Sequence, residues 1–241
     1  MTIRPRTAMV LAAGLGRRLR PITDTIPKPL VRIGGRTLLD RALDCLAAAG
    51  VERAVVNVHH FPEQVIAVLA SRRSPEVVIS DERDLLLDSA GAIVKALPLL
   101  GGEAFFIVNA DTFWIDRDEH NLERLTHRWD AARMDMLLML AARDIATGHN
   151  GGGDFLLGPD GSLRRSGDDP AGLIYAGAAI AEPSIFGDAP PGPLSLNRYF
   201  DRAIAADRLF GLAMQGRWIT GGTPEAIPLA EAVVARLAGE R

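Results

Sequence analysis

The fold is decided by the stretch Ala8-Met-Val-Leu-Ala-Ala13, which runs directly into Gly14-Leu-Gly16-Arg17-Arg18-Leu19. The apolar run is short and ends at a glycine, so it indicates a buried β-strand. A glycine loop directly after the first strand lies where an α/β sheet presents ligands, at the carboxyl ends of its strands. Small residues let backbone N–H groups approach a triphosphate, and the arginines add positive charge. The spacing is neither a P-loop nor a complete G-x-G-x-x-G, because Leu19 stands at the third glycine position, so a plain turn remains open.

Beyond this loop, apolar β-type runs alternate with amphipathic helical patterns, which is the signature of βα units on a parallel sheet. The predicted strands are 8–13, 53–58, 77–79, 104–109 and 134–141, and the predicted helices are 38–49, 61–71, 91–100 and 122–132. The fold class is therefore α/β, with a mostly parallel central sheet flanked by helices.

The composition of the chain changes after residue 145, where glycines and turn residues become frequent. Residues 148–154 predict a loop, and residues 155–163 predict a hairpin because Pro-Asp-Gly lies at the turn. Later patterns predict strands at 173–181 and 210–214 and helices at 196–206 and 224–237. We expect one domain over 1–241, with a first part to about 145, a small β lobe at about 146–223 and a closing helix at 224–241. No repeat of fixed period is visible, so no hexapeptide solenoid is expected.

The composition excludes several classes of protein. Of the 241 residues, 48% are hydrophobic, which suffices for one substantial core. The formal net charge of -3 provides no basic field for nucleic acid. No run reaches the roughly 18 apolar residues that span a membrane, and the N-terminal run is too short for a signal peptide. We expect a cytoplasmic protein without nucleic-acid or membrane partners, in which the single cysteine, Cys45, is buried in a helix.

Twelve residues after Gly16, a lysine lies between two prolines in Ile26-Pro27-Lys28-Pro29-Leu30. The prolines are expected to hold the backbone extended and to restrict the cationic tip, which we expect to be exposed and aimed at phosphate. A lysine in a loop is usually only solvated, so this segment alone decides little. The combination of the glycine loop, the arginines and the rigid lysine is a much more specific signal than the lysine segment alone.

This combination strongly resembles the signature of the sugar-1-phosphate nucleotidyltransferase family, and the resemblance extends from Met9 to about Ala232. Three further segments look most like the short bacterial N-acetylmuramate-1-phosphate uridylyltransferases: Lys95-Ala-Leu-Pro-Leu-Leu100, Gly153-Asp-Phe155 and Trp218-Ile-Thr-Gly-Gly-Thr223. The resemblance implies a Rossmann-like nucleotidyltransferase fold with a sugar-binding lobe, and Mg²⁺ as cofactor. It implies a nucleoside triphosphate, with UTP favoured, and a sugar 1-phosphate as partners of a monomer or small homo-oligomer.

The resemblance also assigns roles within the first part of the chain. Arg17 and Lys28 would be the catalytic cations, Arg17 on the β- and γ-phosphates and Lys28 on the reacting phosphates. Contacts with the nucleotide are implied for Leu11, Ala12, Ala13, Gly14, Gly16, Gly91 and Asn109. On spacing alone, the segment around Gly91 equally fits a helix N-terminus capped by Asp88 or Ser89.

The expected metal site begins with Asp111, which follows a predicted strand in Asn109-Ala-Asp111. A carboxylate there either caps a loop or holds Mg²⁺, and the resemblance makes Asp111 the metal ligand. Relatives place a second ligand, usually a carboxylate, where this chain has Thr220. Threonine offers only a neutral hydroxyl, so charge compensation of Mg²⁺ would fall on Asp111 and the phosphates.

The candidate sugar contacts lie in the second part of the chain. Asn150 and Asp154 in the glycine-rich loop, with Gly177, offer hydrogen bonds to hydroxyl or acetamido groups. Trp114 and Asp116, which follow Asp111, are further candidates for the sugar side. His59 and His60 lack metal-spaced partners and are expected to be loop or supporting groups.

Three alternatives to a uridylyltransferase remain at this point. A guanylyltransferase for mannose or heptose 1-phosphate would share the loop and the lysine and differ at the base pocket. A nucleotide-sugar sensor would keep the pocket and lose metal-dependent turnover through Thr220. An NAD-binding Rossmann protein is disfavoured because the second strand ends at Val58-His59-His60, without an acid for the ribose.

Overall fold

A computed structural model of the protein describes residues 4–239 and contains strands and helices in alternation. The strands are β1 (Thr7–Leu11), β2 (Arg32–Ile33), β3 (Arg36–Thr37), β4 (Arg53–Val58), β5 (Glu76–Asp81), β6 (Phe105–Asn109), β7 (Thr112–Ile115), β8 (Met136–Ala141), β9 (Ala146–Thr147), β10 (Phe155–Leu157), β11 (Leu163–Arg165), β12 (Ile174–Ala181), β13 (Leu209–Ala213) and β14 (Arg217–Thr220). The helices are α1 (Leu38–Ala48), α2 (Pro62–Leu69), α3 (Asp88–Leu100), α4 (Asn121–Arg128), α5 (Asn197–Ala205) and α6 (Ala226–Gly239).

The central sheet has seven strands in the order β13-β8-β12-β6-β1-β4-β5. Every pairing along it is parallel except those of β12, which runs against both of its neighbours. The predicted α/β class with a mostly parallel sheet is therefore confirmed. Because β1, β4 and β6 are parallel neighbours, their carboxyl ends meet at one edge, and the loops that follow them are brought together there.

Side chains of alternate strand residues enter two different cores, one on each face of the sheet. In β1, Ala8 and Val10 face the core that is closed by α1, α2 and α4, whereas Met9 faces the core that is closed by α3 and α5. Helix α1 begins after Thr37, whose hydroxyl accepts a hydrogen bond from Asp40 N at 2.9 Å. The cores on both faces fix the strands and, through them, the loops at their carboxyl ends.

A second, smaller sheet lies beside the central one, in the order β7-β14-β9. Phe113 of β7 and Ile219 of β14 share a third core with Ala230 of α6 and with Leu19, which follows the glycine loop. Leu19, at the position of the missing third glycine, therefore anchors the loop in this core, where it is fully buried. No helix among residues 4–239 is long and apolar enough to cross a membrane.

Most predicted elements agree with the structure to within a few residues, but the start of α3 differs and several short strands were not predicted. Helix α3 begins at Asp88, three residues before the predicted start, so the segment before Gly91 is its first turn. Strands β12 and β13, which fall within the predicted lobe of about 146–223, belong to the central sheet, and the division of the single domain stays a prediction. Strands β7 and β14 were not predicted. The last two residues of the predicted closing helix, 240 and 241, lie outside the described residues.

The segment around Lys28 also differs from its prediction. Pro27 is extended, but Lys28–Leu30 forms a turn of 3₁₀ helix. Lys28 is not exposed either, because only 7% of the residue is accessible to solvent. The prolines thus fix a turn that brings the lysine stem inside the protein, with its ammonium group at the edge of the site.

Candidate active site

A cavity of about 320 Å³ lies at the carboxyl ends of the central strands. Its lining comes from the glycine loop, from the start of α3 and from the segment after β6: Leu11, Ala13, Gly14, Asn57, Leu86, Asp88, Ser89, Asn109 and Asp111. We name it the nucleotide cavity. Four residues predicted to contact the nucleotide and the predicted metal ligand, which are up to 100 residues apart in sequence, thus line one space.

A second cavity, of about 190 Å³, adjoins the first and is named the sugar cavity. Its lining is Leu11, Ser89, Asn109, Asp154, Phe155, Arg165, Tyr175, Leu196, Asn197 and Phe200. Leu11, Ser89 and Asn109 line both cavities and form a common wall. Leu11 and Asn109 are paired residues at the ends of β1 and β6. The common wall therefore lies at the carboxyl ends of two neighbouring strands in the middle of the sheet.

The glycine loop is held against the lysine segment. Gly16 has a left-handed backbone (φ 62°), and a Cβ there would lie 2.7 Å from Thr23 Cγ2 and 3.2 Å from Lys28 Cβ. The Thr23 hydroxyl donates a hydrogen bond to Gly16 O at 2.9 Å. Gly16 is therefore required by both its φ angle and this close approach. After it, Arg17 is exposed, lines neither cavity and has no ion-pair partner within residues 4–239, so its contact with the phosphates stays a prediction.

Lys28 and Asp111 form the ion pair of the site. Lys28 Nζ lies 2.8 Å from Asp111 Oδ2, and the side chains are 9% and 40% accessible. The lysine stem is thus packed inside, whereas the carboxylate faces the nucleotide cavity and solvent. The sequence predicts Lys28 on the reacting phosphates and Asp111 on Mg²⁺, but it does not predict that the two side chains contact each other.

A buried polar chain supports the glycine loop from behind. Asn57 Oδ1 accepts a hydrogen bond from Ala12 N at 2.7 Å, and Asn57 Nδ2 donates to Glu82 Oε1 at 2.9 Å. Glu82 Oε2 accepts from Leu87 N at 3.2 Å, next to the first turn of α3. Burial raises the pKa of the Glu82 carboxyl, and the hydrogen bonds from Asn57 and Leu87 oppose that rise. Neither Asn57 nor Glu82 was identified from sequence.

The residues around Asp111 suit a magnesium ion that arrives with a triphosphate. Among residues 4–239 no group of three or more His, Cys, Asp or Glu side chains could hold a metal, so the protein offers no complete cage. Mg²⁺ does not need one, because it is usually held by one or two carboxylates with waters and substrate phosphates. Thr220 pairs with Thr112, the residue after Asp111, across β14 and β7. A hydroxyl and a half-exposed carboxylate fit such a metal, and both assignments stay predictions.

The three predicted sugar contacts have different surroundings. Asp154 lines the sugar cavity, and its Oδ2 accepts a hydrogen bond from Tyr175 N at 2.8 Å. Asn150 is exposed and lines neither cavity. Gly177 is buried with φ 82°, and a Cβ there would lie 2.7 Å from Thr112 Oγ1 and 3.2 Å from Asn109 Cβ. The glycine thus lets β12 approach the common wall, and its proposed sugar contact stays a prediction.

The predicted base contact at Gly91 has a second reason for being glycine. Gly91 is buried, and a Cβ there would lie 2.5 Å from Gly192 O and 3.2 Å from Leu194 N. It does not line the nucleotide cavity, whereas Ser89 and Asp88 do. The Ser89 hydroxyl accepts a hydrogen bond from Leu196 N at 2.9 Å. The contact at Gly91 stays a prediction, and Ser89 is the residue of this turn that faces both cavities.

Trp114 and Asp116 do not face the predicted sugar side. Both line a different cavity, of about 620 Å³, together with Arg41 and Cys45. Asp116 accepts hydrogen bonds from the backbone and side chain of Asn121. Neither residue lines the sugar cavity, so the described residues give no support to their expected part in sugar binding, which stays a prediction.

The two histidines hold loops, as expected from their lack of metal-spaced partners. The His59 ring hydrogen-bonds Glu82 O at 2.7 Å, and the His60 ring hydrogen-bonds Thr23 O at 2.9 Å. They tie the loop after β4 to the segments on either side of the nucleotide cavity.

Comparison with known proteins shows the family of the chain. Residues 8–149 match the model of the MobA-like NTP transferase domain. The chain is 43% identical to an N-acetylmuramate α-1-phosphate uridylyltransferase of Caulobacter vibrioides, over 98% of this chain and 99% of that protein. It is 34% identical to the enzyme of the same name from Neisseria meningitidis serogroup B, over 90% and 93% of the two chains. A UDP-glucose pyrophosphorylase solved with UDP-glucose has the same fold, with a TM-score of 0.77 at 19% identity, covering 96% of this chain and 99% of that one.

Proposed function

We propose a substrate pair and a mechanism for the chain, which belongs to the MobA-like NTP transferase domain family and is a sugar-1-phosphate nucleotidyltransferase. The nucleotide is UTP, the acceptor is N-acetylmuramate 1-phosphate, and the products are the UDP-sugar and pyrophosphate. The identity with two uridylyltransferases of that name, 43% and 34%, supports this pair. The matching cellular role is the re-use of cell-wall sugars in the cytoplasm.

The observation that carries the proposal is the common wall between the two cavities. A transfer between two bound substrates needs both reacting atoms at one place, held in line by separate binding sites. Leu11, Ser89 and Asn109 line both cavities, and the ion pair of Lys28 with Asp111 lies beside them. The α-phosphorus and the attacking oxygen would meet at this wall.

On the nucleotide side, charge neutralisation is supplied by Lys28, Arg17 and Mg²⁺. Lys28 compensates the charge of Asp111 in the ion pair. With the substrates bound, the lysine would turn to the phosphates while the carboxylate holds Mg²⁺. The metal would neutralise negative charge on the triphosphate oxygens. Thr220 would add at most a neutral oxygen to this metal. The ion pair of Lys28 and Asp111 supports these roles, because it places the two charged groups 2.8 Å apart.

On the sugar side, Asp154 and Arg165 give the cavity its polarity. The acetamido N–H and hydroxyls of the sugar suit a carboxylate acceptor, and the lactyl carboxylate of N-acetylmuramate suits a guanidinium. Arg165 lies with its guanidinium carbon 4.7 Å from the centre of the Phe155 ring and donates to Asp201 at 2.8 Å. Among residues 4–239, Arg165 is the only cation that lines this cavity, and these contacts hold its guanidinium in a fixed position.

The chemistry is an in-line attack by a phosphate oxygen of the sugar 1-phosphate on the α-phosphorus of UTP. The new P–O bond forms as the bond to the β-phosphate oxygen breaks, and pyrophosphate leaves with that electron pair. The reaction needs no covalent protein intermediate, because orientation and charge neutralisation supply the catalysis.

The test is a pyrophosphate-release screen of UTP, GTP, CTP and dTTP against a panel of sugar 1-phosphates, each with Mg²⁺ and with chelator. We expect release with UTP and N-acetylmuramate 1-phosphate, and none in chelator. Release only with GTP and mannose or heptose 1-phosphate would replace the proposed substrates by the guanylyltransferase alternative. The same protein, run on a sizing column, decides between the predicted monomer and a small homo-oligomer.

A further inference from the structure

Glu82 and Asn57 are buried polar residues whose hydrogen bonds link the two sides of the nucleotide cavity. Glu82 is 1% accessible and Asn57 is 3% accessible. Glu82 has no ion-pair partner within residues 4–239, and its two carboxylate oxygens are used by Asn57 Nδ2 and Leu87 N. Burial of a carboxylate without an ion-pair partner costs free energy, so the presence of Glu82 at this position needs a specific explanation.

The polarity of this chain fixes which way the Asn57 amide points. An ionised carboxylate only accepts hydrogen bonds, so Asn57 must present its NH₂ group to Glu82. Its carbonyl oxygen is then left to face Ala12 N, at 2.7 Å. Ala12 follows β1 and leads into the glycine loop, and Leu87 directly precedes α3.

We propose that Glu82 is a positioning residue, which orients the Asn57 amide and thereby holds the glycine loop and the start of α3 at the distance that binds the nucleotide. This inference rests on the proposed function for its ligand. Glu82 itself contacts no substrate, and it acts through Asn57 on one side and through Leu87 on the other.

The hydrogen-bond polarity predicts how substitutions behave. In Glu82→Gln, the new NH₂ group faces either Leu87 N or the Asn57 amide. If Asn57 turns over to accept it, the Asn57 NH₂ group meets Ala12 N. In every arrangement of these amide groups, two N–H donors face each other without an acceptor between them. In Asn57→Asp, two buried carboxylates face each other.

The double variant Asn57→Asp with Glu82→Gln restores the pattern. The aspartate accepts from Ala12 N and from the glutamine NH₂ group, and the glutamine oxygen accepts from Leu87 N. Size and net charge match the natural pair, so the double variant changes only which residue carries the charge. Asp81→Asn, which removes the neighbouring but exposed carboxylate, is the matched control.

The experiment measures UTP affinity with Mg²⁺ and the hydrogen exchange of the Ala12 amide in all five proteins. We expect each single variant to bind UTP about tenfold or more weakly, since one buried donor or acceptor is left unpaired, and to exchange Ala12 faster. The maximal rate at saturating UTP should fall much less than the affinity. The double variant should recover both properties to within about threefold, and Asp81→Asn should match the natural protein.

Two results would overturn the inference: natural affinity and exchange in Glu82→Gln, or a double variant that is no better than the singles. Thermal unfolding of the variants identifies a merely structural effect. In that case the single variants would be less stable than the natural protein, and the double variant would not recover UTP affinity. If the natural protein binds no UTP, the proposed function fails. The exchange of Ala12 then still decides whether Glu82 orients Asn57.

Discussion

At the scale of single residues, the site depends on charges that are partly inside the protein. Lys28 illustrates this, because its segment predicts an exposed side chain whereas the residue is buried, and its contact with phosphate stays a prediction. The ammonium group reaches Asp111 from a buried stem. Its contributions to packing and to charge can therefore be separated by substitution.

Lys28→Met keeps most of the buried stem and removes the charge. We expect turnover to fall by about tenfold or more, because the reacting phosphates lose a positive neighbour. The free energy of unfolding should change by no more than about 1 kcal/mol, since Asp111 is well solvated. Steady-state kinetics and urea unfolding measure the two effects, with Lys95→Met, an exposed lysine on α3, as the control. Normal turnover in Lys28→Met would remove the lysine from the mechanism.

Thr220→Asp adds the carboxylate that relatives place at this position. We expect the Mg²⁺ concentration for half-maximal activity to fall by up to about tenfold, or roughly 1.4 kcal/mol, because a hard cation prefers an anionic oxygen. Without metal, repulsion among the new carboxylate, Asp111 and the triphosphate should weaken nucleotide binding. Pyrophosphate release across a Mg²⁺ titration and nucleotide binding in chelator measure both. An unchanged midpoint with unchanged metal-free affinity would show that residue 220 does not face the metal.

Cys45 gives a prediction with a defined dependence on pH. Cys45 is only partly buried, not fully buried as its sequence predicts, because it lies in the lining of the cavity of about 620 Å³. This partial burial raises the pKa of its thiol to about 12, so almost none of it is thiolate at pH 8. A disulfide reagent should modify the folded protein far more slowly than the urea-unfolded chain, in which the thiol has its ordinary pKa. The folded rate should continue to rise as the pH is raised towards 11. Equal rates in both states at pH 8 would contradict the raised pKa of Cys45 in the folded protein.

At the scale of elements, the sequence predicts the regular parts of the fold because their signals are local. Periodicity identifies the strands and helices of the central sheet, and the Pro-Asp-Gly turn identifies the hairpin of β10 and β11. Strands β7 and β14 escape prediction because each is only four residues long and is defined by its partner, about 100 residues away. Asn57 and Glu82 escape for the same reason: their bonds join residues 45 and 25 positions apart.

A substitution at Gly177 tests whether β12 must approach the common wall closely. In Gly177→Ala, the methyl group meets Thr112 Oγ1 and Asn109 on a backbone of φ 82°. We expect a loss of about 1–3 kcal/mol in the free energy of unfolding and weaker substrate binding. Gly167→Ala is the matched control, because Gly167 has φ 53° with no atom within 4 Å of the added carbon. Equal losses in the two variants would show that φ alone matters and that the contact with the wall does not.

At the scale of the whole molecule, the parallel order of β1, β4 and β6 explains why one site can use residues from across the chain. Each strand delivers a functional loop to the same edge, and β12 with the β10–β11 hairpin adds the sugar side. The alternating pattern predicts this edge as the binding site. It does not predict the pairing of Lys28 with Asp111, which depends on how two loops meet in space.

The central claim is that an oxygen of the sugar 1-phosphate attacks the α-phosphorus of the nucleotide at the common wall. The most direct measurement uses N-acetylmuramate 1-phosphate whose phosphate carries oxygen-18, with UTP and Mg²⁺, followed by mass spectrometry of both products. We predict that all of the label stays in the nucleotide sugar and that the pyrophosphate contains none. Labelled pyrophosphate, or no nucleotide sugar at all under these conditions, would contradict the account.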